Sequence, residues 1–152
     1  MIGGVPAFVT VWAVELGRGS SLEERKGTLS MAEDGLRFDP RDESTATRIA
    51  FGDIVKAKRL HGSPVLLVVH AVYRRTAQTA FYFVQPPPME PPPGGTTIRP
   101  SPFSFGRSTK RRIRRQNVSY LGVWNREKKH QLREWERFVR ERVAAARARA
   151  AG

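Results

Sequence analysis

The stretch Val65-Leu66-Leu67-Val68-Val69-His70 decides the fold class of this chain. It follows a turn at Gly62-Ser63-Pro64 and is apolar on both faces of a period-two pattern. A short apolar run bounded by a turn is typical of a strand that is buried on both sides. We therefore predict a central β-strand here, in a fold built around a sheet.

Strand signals continue on both sides of this central stretch. Residues 73–76 predict a turn, and residues 77–84, with their three consecutive aromatics, predict the next strand. Upstream, residues 47–60 predict a strand that bends near Gly52-Asp53. Within it Val55 and Ala57 alternate with Lys56 and Lys58, so the valine is expected to face the core and the lysines to face water.

The N-terminal part of the chain supplies further strands. Residues 7–16, rich in Phe, Val, Thr and Trp, are apolar on both faces and predict a strand buried largely on both sides. Residues 26–32 and 36–39 alternate around Asp34-Gly35, a hairpin signal in which glycine is expected to supply a positive φ. Strands at this short spacing indicate an antiparallel barrel or sandwich.

A proline-rich segment then ends the strand pattern. Residues 86–95 hold six prolines, which cannot donate ladder hydrogen bonds, so an extended segment is expected. Residues 118–124 are the candidate for a seventh strand. We expect one domain over residues 7–143, interrupted by a proline-rich and basic loop at residues 86–117.

The C-terminal part predicts a helix that begins after Asn125, a residue suited to the N-cap. Its apolar residues recur at steps of three and four and form an amphipathic stripe: Leu132, Trp135, Phe138, Val139, Val143 and Ala146. We expect this stripe to cover the sheet. Residues 144–152 are rich in Ala and Arg and lack a bulky residue to dock, so they are expected to project or fray.

Six to seven antiparallel strands and a terminal helix with a docking tryptophan resemble the pleckstrin-homology superfold, and most closely its GRAM-type and bacterial PH-like domains. The residues that carry the resemblance are Lys26 to Met31, Asp34 to Phe38, Ile49 to Ile54, Phe81-Tyr82-Phe83 and Trp135. The resemblance implies an antiparallel barrel plugged at one open corner by the helix. It also implies a non-catalytic module that binds phosphoinositides, other anionic lipids or proteins.

Nearly all of the excess positive charge lies in the last third of the chain. The net charge is +13, yet residues 1–98 hold 11 Lys/Arg against 10 Asp/Glu, whereas residues 99–152 hold 16 against 4. Such a field attracts polyanions. The candidate anion-binding residues are the basic run Arg107, Lys110, Arg111, Arg112, Arg114 and Arg115, with Arg25, Lys26, Lys56 and Lys58. The alternative for the run is a solvated loop without a dedicated partner.

Several classes of function lack support in the sequence. The chain has no cysteine, its three histidines show no metal-ligand spacing, and no hydrolase, P-loop or dinucleotide motif is present. We expect no catalytic residue, metal, cofactor or small-molecule substrate. The longest apolar runs fall far short of the roughly 20 residues that a bilayer requires, and the N-terminus lacks the basic region of a secretory signal, so a cytoplasmic protein is expected.

Three partners remain open. The leading hypothesis is an anionic surface, foremost lipid at the inner face of a membrane, which the basic loop and the helix with its nine Lys/Arg would contact and to which the protein would be peripheral. The first alternative is nucleic acid bound by the same residues. The second is an acidic or other protein held by an adaptor.

Overall fold

Seven antiparallel strands and one long helix are described in this computed structural model, which covers residues 7–16, 23–61, 63–85 and 126–152. The strands are β1 (Phe8–Leu16), β2 (Arg25–Met31), β3 (Gly35–Pro40), β4 (Thr47–Ala50), β5 (Ile54–Arg59), β6 (Val65–Val72) and β7 (Arg75–Tyr82). A 3₁₀ turn, η1 (Phe51–Asp53), separates β4 from β5, and the helix is α1 (Arg126–Ala151). The predicted loop at residues 86–117, the candidate strand at 118–124 and the cap Asn125 lie outside the described residues.

The strands form one sheet in the order β4-β3-β2-β1-β7-β6-β5, with antiparallel neighbours throughout. Laid flat, its two edge strands would lie about 29 Å apart. The four residue steps from Ala50 to Ile54 span at most about 15 Å, and they join those two edges. The sheet must therefore roll up. Since β4 and β5 share no ladder, the roll is open at this seam.

The helix α1 packs over the open seam, against η1, β5 and β6. Its side chains Leu132, Trp135, Val139 and Val143 are buried in the main core, and Phe138 and Ala146 pack against that core. The Trp135 ring meets the Phe83 ring edge-on, with centroids 6.3 Å apart. The predicted mainly β fold with a C-terminal amphipathic helix is confirmed.

Both faces of β6 are buried from Val65 to Val68, as its apolar sequence predicts, whereas the two-sided burial predicted for residues 7–16 is wrong at the start of β1, where Phe8 is 67% exposed and Thr10 is exposed. On the inner face, Val11, Leu66 and Phe81 belong to the main core. On the outer face, residues such as Leu67 and Ala80 form a second buried cluster. The strand predicted at residues 65–70 is an interior strand buried on both faces, but it lies next to the edge strand β5, and the central strand of the sheet is β1.

Val55 was expected in the core, and that prediction is wrong. Its side chain is 54% exposed, because the β5–β6 register shifts between Ile54 and Lys56. This bulge inserts an extra residue and reverses the alternation at the start of β5. Ile54 faces the core instead, whereas Ala57 is buried as its alternation with Lys56 and Lys58 predicts.

The end of the helix also differs from its prediction. Residues 144–151 continue α1 instead of fraying. Ala146 packs against the core, and Arg147 Nη2 donates to the carbonyl oxygens of Ile54 (3.1 Å) and Val55 (2.9 Å). A long polar side chain thus docks this segment where no bulky apolar residue is present.

The β2–β3 hairpin forms at Asp34-Gly35 as predicted, closed by a hydrogen bond from Ala32 N to Gly35 O (2.8 Å). The predicted reason was wrong, since Gly35 does not adopt a positive φ. A Cβ atom at Gly35 would lie 2.4 Å from the carbonyl oxygen of Ile49 on β4. Close approach of two strands, and not turn geometry, requires glycine here.

Candidate functional site

Five exposed cations follow one side of α1, and we call this the basic face: Arg126, Lys129, Arg133, Arg137 and Arg140. They recur at steps of three or four residues. At about 100° per residue they fall within an arc of about 80°. The row is about 21 Å long, since the helix rises about 1.5 Å per residue.

The buried stripe on the other side of α1 fixes the direction of the basic face. Trp135 and Val139 are completely buried, so the helix cannot rotate about its axis without exposing them. The sequence folds this way because apolar and basic residues alternate every half turn from Leu132 to Val143. The basic face is therefore held towards solvent.

One cation of the basic face is neutralised within the helix. Arg137 pairs with Glu134 one turn before it and lies 3.7 Å from Glu141 one turn after it. The hydrogen bond to Glu134 raises the pKa of Arg137. The other four cations have no ion pair with any residue in the described ranges.

Acidic residues are kept to the flanks of the basic face. Glu127, Glu134 and Glu141 follow one flank, at steps of seven residues. Glu136 lies on the other flank and points to Arg59 on β5. Among the described residues, the carboxylates of α1 thus border the basic face and do not interrupt it, with three on one flank and Glu136 on the other.

The strand β5 lies alongside the second half of α1. Arg59 contacts Glu136 at one end of the strand, and Arg147 contacts Ile54 and Val55 at the other. The distance from Glu136 to Arg147 along α1 is about 16 Å, because the helix rises about 1.5 Å per residue. It matches the length of β5 from Ile54 to Arg59, about 17 Å. Residues on β5 are thus level with the end of the basic face at Arg140.

Two of the predicted anion-binding residues lie on this strand. Lys56 is exposed and Lys58 is half-buried, and both alternate with core-facing Ala57 on β5. Their side chains lie on the face of β5 opposite Ala57, on a strand that runs beside the helix between the levels of Glu136 and Arg147. The neighbouring Arg59 points to the other side and pairs with Glu136 on α1.

The other two described candidates lie elsewhere. Arg25 is 3.7 Å from Glu15 and stacks over the Phe38 ring at 5.8 Å, and Lys26 lies over the Trp12 ring at 5.2 Å. Three strands separate β2 from β5, about 19 Å along the sheet. Neither residue joins Lys56 and Lys58. The six candidates Arg107, Lys110, Arg111, Arg112, Arg114 and Arg115 lie outside the described residues.

The basic face itself was missed as a site in the sequence. The helix with its nine Lys/Arg was expected to extend the basic surface, but none of these nine residues was among the predicted anion-binding residues. The signal was available, since five of the nine repeat with the helical period opposite the apolar stripe. Charge position, and not charge number, identifies this surface.

Within residues 7–16, 23–61, 63–85 and 126–152, no group of three or more His, Asp or Glu side chains is placed to hold a metal ion. Among those residues no helix is both long and apolar enough to cross a membrane. Compared with protein-family models and with the sequences of curated proteins, the chain matches none. What the protein binds is therefore inferred from the geometry and charge of α1 and its neighbours.

Proposed function

We propose that the protein is a non-catalytic binding module with a pleckstrin-homology-like fold, and that the basic face of α1 attaches it to an anionic membrane surface. The preferred target is lipid at the inner face of the cytoplasmic membrane, which would make the protein peripheral to that membrane. The single observation that carries the proposal is a row of four solvent-facing cations that have no ion pair with another described residue, Arg126, Lys129, Arg133 and Arg140.

The fold supports this proposal through its architecture. A rolled antiparallel sheet with a C-terminal helix over its open seam is the arrangement that the pleckstrin-homology resemblance implies. Because such a scaffold hosts many partners, the partner is argued from charge and not from the fold.

The energetics favour attachment by electrostatics. Each Lys or Arg close to an anionic membrane contributes up to about 1 kcal/mol, so four cations at half that value contribute about 2 kcal/mol. The apolar side of α1 is not available to a bilayer, since Trp135 and Val139 are buried in the core. Binding should therefore weaken steeply as salt rises.

The shape of the site favours a flat surface over a groove. Glu127, Glu134 and Glu141 border the basic face on one flank, and β5 lies on the other. A helix in a DNA groove is surrounded by phosphates, which would repel that acidic flank. A membrane touches a helix from one side only.

The test is co-sedimentation of the full chain with phosphatidylcholine vesicles that contain or lack phosphatidylserine. We expect binding to the anionic vesicles only, and loss of that binding at high salt. Equal binding to both vesicles, or to neither, rules out the lipid target. If a gel shift on duplex DNA then shows a steep log–log salt dependence, nucleic acid is the partner instead.

A further inference from the structure

The two-residue turn between β6 and β7 presents the most exposed large apolar side chain among the described residues. Tyr73 is 102% exposed relative to its reference, and its neighbour Val72 is 41% exposed. Arg74 and Arg75, which follow, are also exposed. We call these four residues the hairpin tip.

The backbone at Tyr73 is unfavourable for a tyrosine. Val72 pairs with Arg75, so Tyr73 and Arg74 are the two central residues of the turn. Tyr73 has φ 55°, and Arg74 has no positive φ. A positive φ at the first central residue alone is typical of a type II′ turn, in which glycine is preferred because an L side chain is strained there.

Folding therefore does not explain the tyrosine at this position. A fully exposed ring buries no apolar area, and glycine or asparagine would fit the backbone better. Strained residues that gain nothing from their own fold are concentrated at functional sites. Recognition of a partner is the remaining reason for an exposed aromatic ring here.

The chemistry of the hairpin tip matches the headgroup region of a membrane. Tyrosine is enriched at that interface, where its ring lies among the lipid chains and its hydroxyl stays hydrated. Two adjacent arginines complement lipid phosphates, and neither forms an ion pair within the described residues. Val55, which is 54% exposed near the start of β5, adds apolar surface at the same end of the sheet.

We infer that the hairpin tip is a second membrane contact, in which the Tyr73 ring inserts among the lipid headgroups and Arg74 and Arg75 bind lipid phosphates. The inference rests on the proposed function. Arg147 contacts the start of β5, so the tip lies towards the C-terminal end of α1, whereas the basic face begins at its N-terminal end. Contacts at both ends would fix the orientation of the protein on the membrane.

The absence of cysteine from the chain allows a direct test. A fluorophore that responds to polarity is attached to Tyr73→Cys and, as a control, to Glu33→Cys in the β2–β3 turn at the opposite end of the sheet. With anionic vesicles we expect the fluorescence emission to shift to the blue only for the label at position 73. Nitroxide-labelled lipid should quench the fluorescence of that label.

Co-sedimentation of the same labelled samples separates the two proposals. If the protein does not pellet with anionic vesicles, the proposed function fails. If it pellets while the label at position 73 stays aqueous, or while both labels respond equally, the membrane role of the hairpin tip is wrong.

Unlabelled variants provide an independent measurement. Tyr73→Asn removes the ring but suits the positive φ, so its thermal midpoint should equal or exceed that of the wild type. We expect its vesicle affinity to fall about three- to tenfold, while Tyr73→Trp retains binding. Unchanged affinity in a folded Tyr73→Asn variant would overturn the inference.

Discussion

Glu136 on α1 accepts two hydrogen bonds from Arg59 at the outer edge of β5. The backbone N–H of Arg59 donates to Oε1 (3.2 Å), and its Nε donates to Oε2. At the other end of the strand, Arg147 donates to the carbonyl oxygens of Ile54 and Val55. Side chains of α1 thus form hydrogen bonds with backbone groups on the free edge of β5, where a further strand could otherwise pair. Covering a free strand edge in this way protects a protein from edge-to-edge aggregation.

Replacing Glu136 should therefore destabilise the fold. Glu136→Ala leaves the Arg59 N–H without its acceptor, and we expect a loss of about 1–2 kcal/mol in the free energy of unfolding. Urea titration measures it. The control is Glu141→Ala, which removes only an exposed contact at 3.7 Å and should cost no more than about 0.5 kcal/mol. Equal losses in the two variants would show that Glu136 does not stabilise the edge.

Arg147 should hold the end of the helix in place. Arg147→Ala removes both donors to β5, so we expect a loss of about 1 kcal/mol and faster amide exchange in residues 144–150. Arg149→Ala is the matched control, since Arg149 is exposed and has no hydrogen bond or ion pair with a described residue. Unchanged exchange in the Arg147 variant would indicate that this segment is helical without being docked.

Alanine substitutions should show at which glycine the close approach of a neighbouring strand forbids a side chain. A Cβ at Gly27 would lie 2.4 Å from the carbonyl oxygen of Asp39, whereas nothing lies within 4 Å of a Cβ at Gly52. We expect Gly27→Ala to lower stability by about 2 kcal/mol or more, and Gly52→Ala to leave it nearly unchanged. Thermal unfolding compares them. A neutral Gly27→Ala would mean that β2 and β3 can separate at no cost.

His70 should make the fold less stable in mild acid. Burial lowers the pKa of His70 below its ordinary value, and this outweighs the opposing effects of a hydrogen bond with the Ala71 backbone and of the charges of Glu15 and Asp53. The unfolded chain therefore binds the proton more readily, so stability is full above about pH 6.5 and falls as the pH drops towards the folded pKa. Urea midpoints across this range should fall for the wild type and fall less for His70→Gln.

His130→Gln is the control for that measurement. His130 is exposed on α1, so its variant should keep the wild-type decline. If His70→Gln and the wild type lose stability in parallel, another group is responsible.

Much of the sheet could be predicted because local pattern and burial agree. Leu66 and Leu67 point to opposite faces, and both are buried, as an unbroken apolar run indicates. The same holds for the apolar stripe of α1, where Trp135 and Val139 are buried as the helical period predicts.

The sequence-based predictions were wrong where contacts between residues distant in sequence determine which side chains are buried and how the backbone is held. A bulge in the β5–β6 ladder exposes Val55, and bulges have no fixed sequence signature. Docking by Arg147 depends on carbonyl groups 92 and 93 residues away in sequence. The turn at Tyr73 was expected, but its positive φ was not, because the chain has no glycine or asparagine there.

The central claim is that the position of charge on α1, and not total charge, drives attachment to anionic membranes. Two variants that each lose three positive charges test it. Lys129→Gln, Arg133→Gln and Arg140→Gln together alter the basic face, whereas Arg37→Gln, Arg41→Gln and Arg48→Gln alter three exposed arginines in and after β3 and in β4. Glutamine keeps helix propensity close to that of Lys and Arg.

The decisive measurement is the affinity of both triple variants for vesicles that contain phosphatidylserine. We predict that the α1 variant binds at least about tenfold more weakly than the wild type, and that the β3–β4 variant stays within about twofold. Equal affinities of the two variants would contradict the account.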